Sequence, residues 1–291
     1  MLKELQKRDQ RCKRDLEKES SWTLTMAACV WHSQEPMRYL KLVAALFKKE
    51  LKCDATVCSL GWNCYPGWLL RDLYAQPAFP WDWMQFFDHA ALSKLLTSHG
   101  IDEVVSAYSV KNVVPGLVMD PEKPHFWNER LRIRSPHDHE KHKFTEISSS
   151  RNMISEKLLR RLERLRRACK GRDLIFLCNY NPGCYGLEGY LWSTYLDSMR
   201  EMLELSRKSL SPAKCSVVLC GRKRPDKAGV FDGELFDIER LCEDIYYCAT
   251  KYDFEDAYFK KTPGEFDIEH VRDKYWASVL PQSFEAIKSM N

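Results

Sequence analysis

The chain has no Cys-x-x-Cys pair, no run of about 18 apolar residues and no marked excess of either charge. The first absence removes the usual basis for a zinc ribbon or a thioredoxin-type redox site. The second removes a membrane-spanning helix, and no membrane partner is expected. The third, 45 basic against 41 acidic residues, gives no electrostatic case for nucleic acid as a partner. Residues 1–20 lack the apolar core of a secretory signal, and their many acids argue against a mitochondrial presequence. The glycine signatures of dinucleotide and phosphate loops are also missing. The cysteines are scattered, several of them in apolar segments, so they read as reduced thiols and a cytoplasmic location is expected.

What is present suffices for a large core: 44% of the 291 residues are hydrophobic. Continuous apolar segments at 54–60, 174–178, 215–220 and 245–249 read as buried strands. Helical spacing is found at 65–75, 83–98, 152–170, 187–210, 236–242 and 269–280. Shorter strands are expected at 113–119 and 130–134. Fully apolar strands alternating with helices imply an α/β fold: a largely parallel sheet flanked by helices, Rossmann-like with three layers. Residues 1–50 read as an N-terminal helical extension, and 51–291 as a single α/β domain.

The segment 57–83 carries the first chemical signal. A strand stops at Gly61, Asn63 and Cys64 follow, and a helical pattern of Trp68, Leu69, Leu70 and Leu73 begins. Free amides at a helix start favour an anion, so a cysteine placed there is a candidate thiolate nucleophile. The Cys64 amide and the Asn63 side chain would then be candidate oxyanion donors. Further on, Asp82 sits between Trp81 and Trp83, a carboxylate between two large rings.

A second polar cluster is 135–142, with His137, Asp138, His139 and His142. His-x-His spacing can place two imidazoles on one ion; a third ligand would have to come from Asp138, His142 or elsewhere, and no metal or cofactor is assigned. The other use of His137 is as the base for Cys64, since a cysteine nucleophile needs a group to take its proton and later return it. Asp82 and Asp138 are both candidates to orient that imidazole.

These pieces, Ser59-Leu60-Gly61-Trp62-Asn63-Cys64, Pro80-Trp81-Asp82-Trp83 and His137-Asp138, occur in an order and spacing that resembles the family described as papain-like cysteine peptidases of unknown function. The likeness covers about 54–220 and implies a Cys-His-Asp site acting on a peptide or other small acyl substrate.

Two further features point to ligands. The loop 179–186, with Asn179, Asn181 and Gly183, leaves the end of a buried strand, where open α/β sheets bind ligands. The arginines at 160–167 form a basic helix face, a possible site for an anion. The functional expectation is a thiol-dependent hydrolase or acyl transferase. The alternatives are a nucleotide-sugar or phosphate-ligand transferase, in which Cys64 is structural, and a non-catalytic binding protein using a tryptophan-rich cleft.

Overall fold

The computed structural model describes residues 54–60, 64–74, 76–82, 84–86, 89–111, 125–135, 147–180, 192–222, 230–258 and 267–290. They belong to one compact unit, Glu50–Asn291. The helical extension expected over 1–50 and the strand expected over 113–119 lie outside the described residues.

In chain order the elements are β1 (Thr56–Leu60), α1 (Tyr65–Tyr74), β2 (Gln85–Phe86), a 3₁₀ segment (His89–Leu96) and α2 (Ser98–Ser106). There follow β3 (Tyr108–Lys111), β4 (His125–Asn128), β5 (Ile133–Ser135), α3 (Ile147–Cys169), β6 (Leu174–Asn179) and α4 (Trp192–Leu210). The chain closes with β7 (Cys215–Gly221), β8 (Phe236–Cys242), β9 (Ile245–Thr250), a 3₁₀ turn (Phe254–Ala257), a π-helical stretch (His270–Trp276) and α5 (Ala277–Ser289).

Five strands form the main sheet in the order β1-β6-β7-β9-β8, parallel except for β8. Every residue of β1, β6 and β7 is buried, as the unbroken apolar runs require of strands covered on both faces. Alternate side chains serve alternate layers. Cys58, Phe176, Val217 and Leu219 pack with Leu158 and Leu162 of α3 and Met199 and Leu203 of α4. Val57, Ile175, Leu177 and Val218 pack with Leu69 and Leu70 of α1 and Leu280 and Phe284 of α5. Each fully buried leucine contributes roughly 1.5–3 kcal/mol, an upper figure set against an extended chain.

Two sequence expectations are corrected here. The segment 236–242 is the strand β8, paired antiparallel with β9, and not a helix. Its Ile238 and Leu241 fit a helical spacing, but Phe236 and Ile238 also alternate, and the neighbouring strand decides between the two. The helix expected over 83–98 is instead β2, the 3₁₀ segment and the start of α2. Gly100 does not stop a helix; it lies inside α2, where a side chain would collide with the Lys94 carbonyl. The real boundary is Thr97, whose hydroxyl accepts from the Gly100 amide at 3.0 Å as the N-cap of α2.

A second, antiparallel sheet has the order β2-β5-β4-β3. Only its β5 overlaps an expected strand, and that strand begins at Ile133, after a turn that includes Arg132 at φ 49°. At the outer edge of β1 the Gln76 side-chain amide donates to the Val57 carbonyl, and Trp81 packs edge-on against Phe176 of β6 at 5.5 Å.

Candidate active site

Cys64 lies immediately before α1, and its carbonyl accepts the helix's first bond, from the Trp68 amide at 2.9 Å. Because α1 returns antiparallel to β1, this helix start stands at the carboxyl edge of the parallel strands. The thiol is buried, 7% exposed. Burial pushes it up to about 12, against the opposite pull of its backbone hydrogen bond and of the Arg134 guanidinium. At neutral pH the group is therefore a thiol, not the thiolate that the helix-start position alone suggests.

Asp82 is buried against the first turn of the same helix. One oxygen accepts from the Ser59 hydroxyl of β1, the other from the Phe79 amide at 2.6 Å. The Arg161 guanidinium donates to the Asp82 carbonyl at 3.0 Å. Burial raises the carboxyl above its ordinary range, and the bonds from Ser59 and Phe79 oppose that rise. Gly67, three residues after Cys64, makes the approach possible: a Cβ there would stand 2.9 Å from Asp82 Oδ1 and 3.2 Å from Ser59 Oγ. With both oxygens engaged, Asp82 ties the 79–82 turn to β1, and Gly67 of α1 packs against that junction. Trp81 is fully buried, and its indole donates to the Leu92 carbonyl at 2.9 Å, so it packs into the core.

The small sheet brings a polar cluster that sequence reading missed. Arg134 of β5 faces Gln85 of β2 and Trp127 of β4 in register. It donates to Gln85 Oε1 at 3.1 Å and meets His125 Nε2 at 2.9 Å. Arginine can only donate, so His125 Nε2 is the acceptor and the neutral ring carries its proton on Nδ1. His125 in this state cannot take a proton at Nε2 without releasing Arg134. The one available signal was the alternation of arginines with Leu131 and Ile133, which places Arg134 on one face of a strand.

Asn179 closes β6 one residue above Cys178, the partner of Leu60 at the end of β1. It is 1% exposed, and among the described residues neither its amide nitrogen nor its oxygen has a hydrogen-bond partner. Strand alternation puts it on the face of Ile175 and Leu177, the face covered by α1.

His137, Asp138, Asn63, Asn181, Gly183 and Trp83 lie outside the described residues. Among the described residues no cluster of His, Cys, Asp and Glu could hold a metal ion, and no helix is long and apolar enough to cross a membrane. The arginines of α3 are engaged by the protein itself. Arg161, Arg164 and Arg166 donate to the carbonyls of Asp82, Ala78 and Leu96, and Arg160 and Arg167 pair with Glu156 and Glu163. A cleft lined by Asp54, Asp173, Lys214, Ser216 and Lys288 opens at the opposite, amino edge of the sheet, away from Cys64. Comparisons with family models, curated proteins and solved structures find no match to this chain.

Proposed function

We propose that the protein is a thiol-dependent hydrolase or acyl transferase that attacks a peptide or other acyl carbonyl with Cys64, within a site of the papain-like cysteine peptidase type. The observation that carries this reading is the placement of Cys64 at the start of α1, on the carboxyl edge of a parallel sheet. A Rossmann-like description of the sheet enters with it, since ligands of such sheets bind at that edge.

A buried, protonated thiol is compatible with attack if a base removes its proton as the bond to carbon forms, as serine nucleophiles do. His125 is held by Arg134 as an acceptor, so the reading gives the base to His137, two residues beyond the end of β5. Asp82 has both oxygens engaged, so orienting the imidazole falls to Asp138, and Asp82 holds the helix start. Arg134 supports the developing negative charge at sulfur.

The test is labelling of the whole chain by an acyl probe such as p-nitrophenyl acetate, following p-nitrophenolate release and the Cys64 peptide by mass spectrometry. Release is expected to fall to background in Cys64→Ala and by about 10²-fold or more in His137→Ala. His125→Ala is expected to slow it far less than His137→Ala. Unchanged release in Cys64→Ala would leave Cys64 a structural residue and favour a binding or transferase role.

A further inference from the structure

A buried side-chain amide with both ends unpaired is costly, and native proteins hold few of them without a reason. Among the described residues, Asn179 is the side chain with two such atoms. It stands at the carboxyl end of β6, on the sheet face that α1 covers, next to the strand whose end leads to Cys64. Asn179 thus presents, beside the strand whose end leads to Cys64, an amide donor that no described group uses.

Building on the thiol reading, we propose that the Asn179 amide holds the carbonyl oxygen of the acyl substrate while Cys64 attacks it. In the first step the Cys64 proton passes to the imidazole, an S–C bond forms, and the carbonyl π pair moves to oxygen. The Asn179 Nδ2–H donates to that oxyanion. The pair then returns to re-form C=O, the bond to the leaving group breaks, and the leaving group takes the proton from the imidazolium. Water, or an acceptor amine or alcohol, repeats the sequence on the thioester and regenerates the thiol. Asn179 is a donor to a neutral carbonyl and a better one to an oxyanion, so its contribution is realised chiefly in the transition state.

The experiment compares two reagents at Cys64. Acylation by p-nitrophenyl acetate passes through an oxyanion. Alkylation by iodoacetamide does not, because its charge departs with iodide. In Asn179→Ala the acylation rate is expected to fall by about 10²-fold, with alkylation of the Cys64 peptide unchanged within about twofold. Because the amide has no partner among the described residues to lose, the variant is also expected to melt no lower than the wild type. Should the alanine variant not fold, the near-isosteric Asn179→Leu is read in its place. Equal slowing of both reagents, or of neither, overturns the role of Asn179 while leaving Cys64 a nucleophile. Absence of Cys64-dependent acylation in the wild-type chain overturns the thiol reading, and this inference with it.

Discussion

The two sheets solve the problem of burial in opposite ways. In the main sheet, the strands β1, β6 and β7 bury mostly apolar side chains, with polar groups such as Ser59 and Asn179 towards their carboxyl ends. In the small sheet, strands of two to four residues bury Gln85, His125, Asn128 and Arg134. An apolar strand is stable wherever it is covered. A buried arginine is stable only where its donors are met, so the small sheet depends on side-chain geometry that the main sheet does not need. The main sheet is the scaffold, and the small sheet carries charge to the neighbourhood of Cys64.

The largest effect that would test this contrast is in the main sheet. Leu177→Ala, at a fully buried position of β6, is expected to cost about 3 kcal/mol through lost transfer energy and a cavity. Urea unfolding would measure it; a cost under about 1 kcal/mol would mean that β6 is not central to the core.

Next comes the small sheet. Arg134→Met leaves Gln85 Oε1 and His125 Nε2 without their donor and is expected to cost about 2 kcal/mol. Replacing the cluster together, by Gln85→Leu, His125→Leu and Arg134→Met, is expected to recover part of that stability, because no unpaired polar group remains. If the triple variant is less stable than Arg134→Met alone, the cluster is an integral support of the sheet and the contrast between the two sheets weakens.

The smallest effect lies on the surface of α3. Lys157 is held down to about 7 by burial and then by the Arg161 and Arg160 charges, against an ordinary value of 10.5. Between those values the unfolded chain binds more protons than the folded one, so this residue makes stability rise with pH. Below the lower value both states are protonated, and its full unfavourable contribution is present. Lys157→Met is therefore expected to raise the melting temperature most below about pH 7 and to lose that advantage towards pH 10.5. Partial exposure keeps the effect to roughly 1 kcal/mol or less. An equal gain at both ends of the range would assign it to packing instead.

The same contrast governs what could be read from sequence. β1, β6, β7 and β9 announce themselves as unbroken apolar runs, and α3 by Leu158, Leu162 and Leu165 on one stripe. The place of Cys64 before a helix follows from Gly61 and the Leu69, Leu70 pattern, and α1 begins there. β2, β3 and β4 give no such signal, since Gln85-Phe86 and His125-Phe126-Trp127-Asn128 are too short and too polar to show a period. Their pairing is set by partners far along the chain. Asn179 was legible as a strand-end residue. That its amide is buried and unpaired was not, because satisfaction is a property of three-dimensional neighbours. The protonated state of Cys64 was hidden for the same reason: the helix start is local, but the burial that outweighs it comes from the fold.

The Gln76 bond at the edge of β1 has a bearing on how copies of this chain behave at high concentration. An open strand offers a row of amides and carbonyls on which a second molecule can add its own strand, the first step toward aggregation. On β1 the Gln76 side chain already occupies the Val57 carbonyl. At the other margin of the five-stranded sheet, β8 carries Asp237, Glu239 and Arg240, charges that an incoming strand would have to desolvate. One margin has a ladder carbonyl already taken and the other carries charge, and both features disfavour edge-to-edge addition of a second copy.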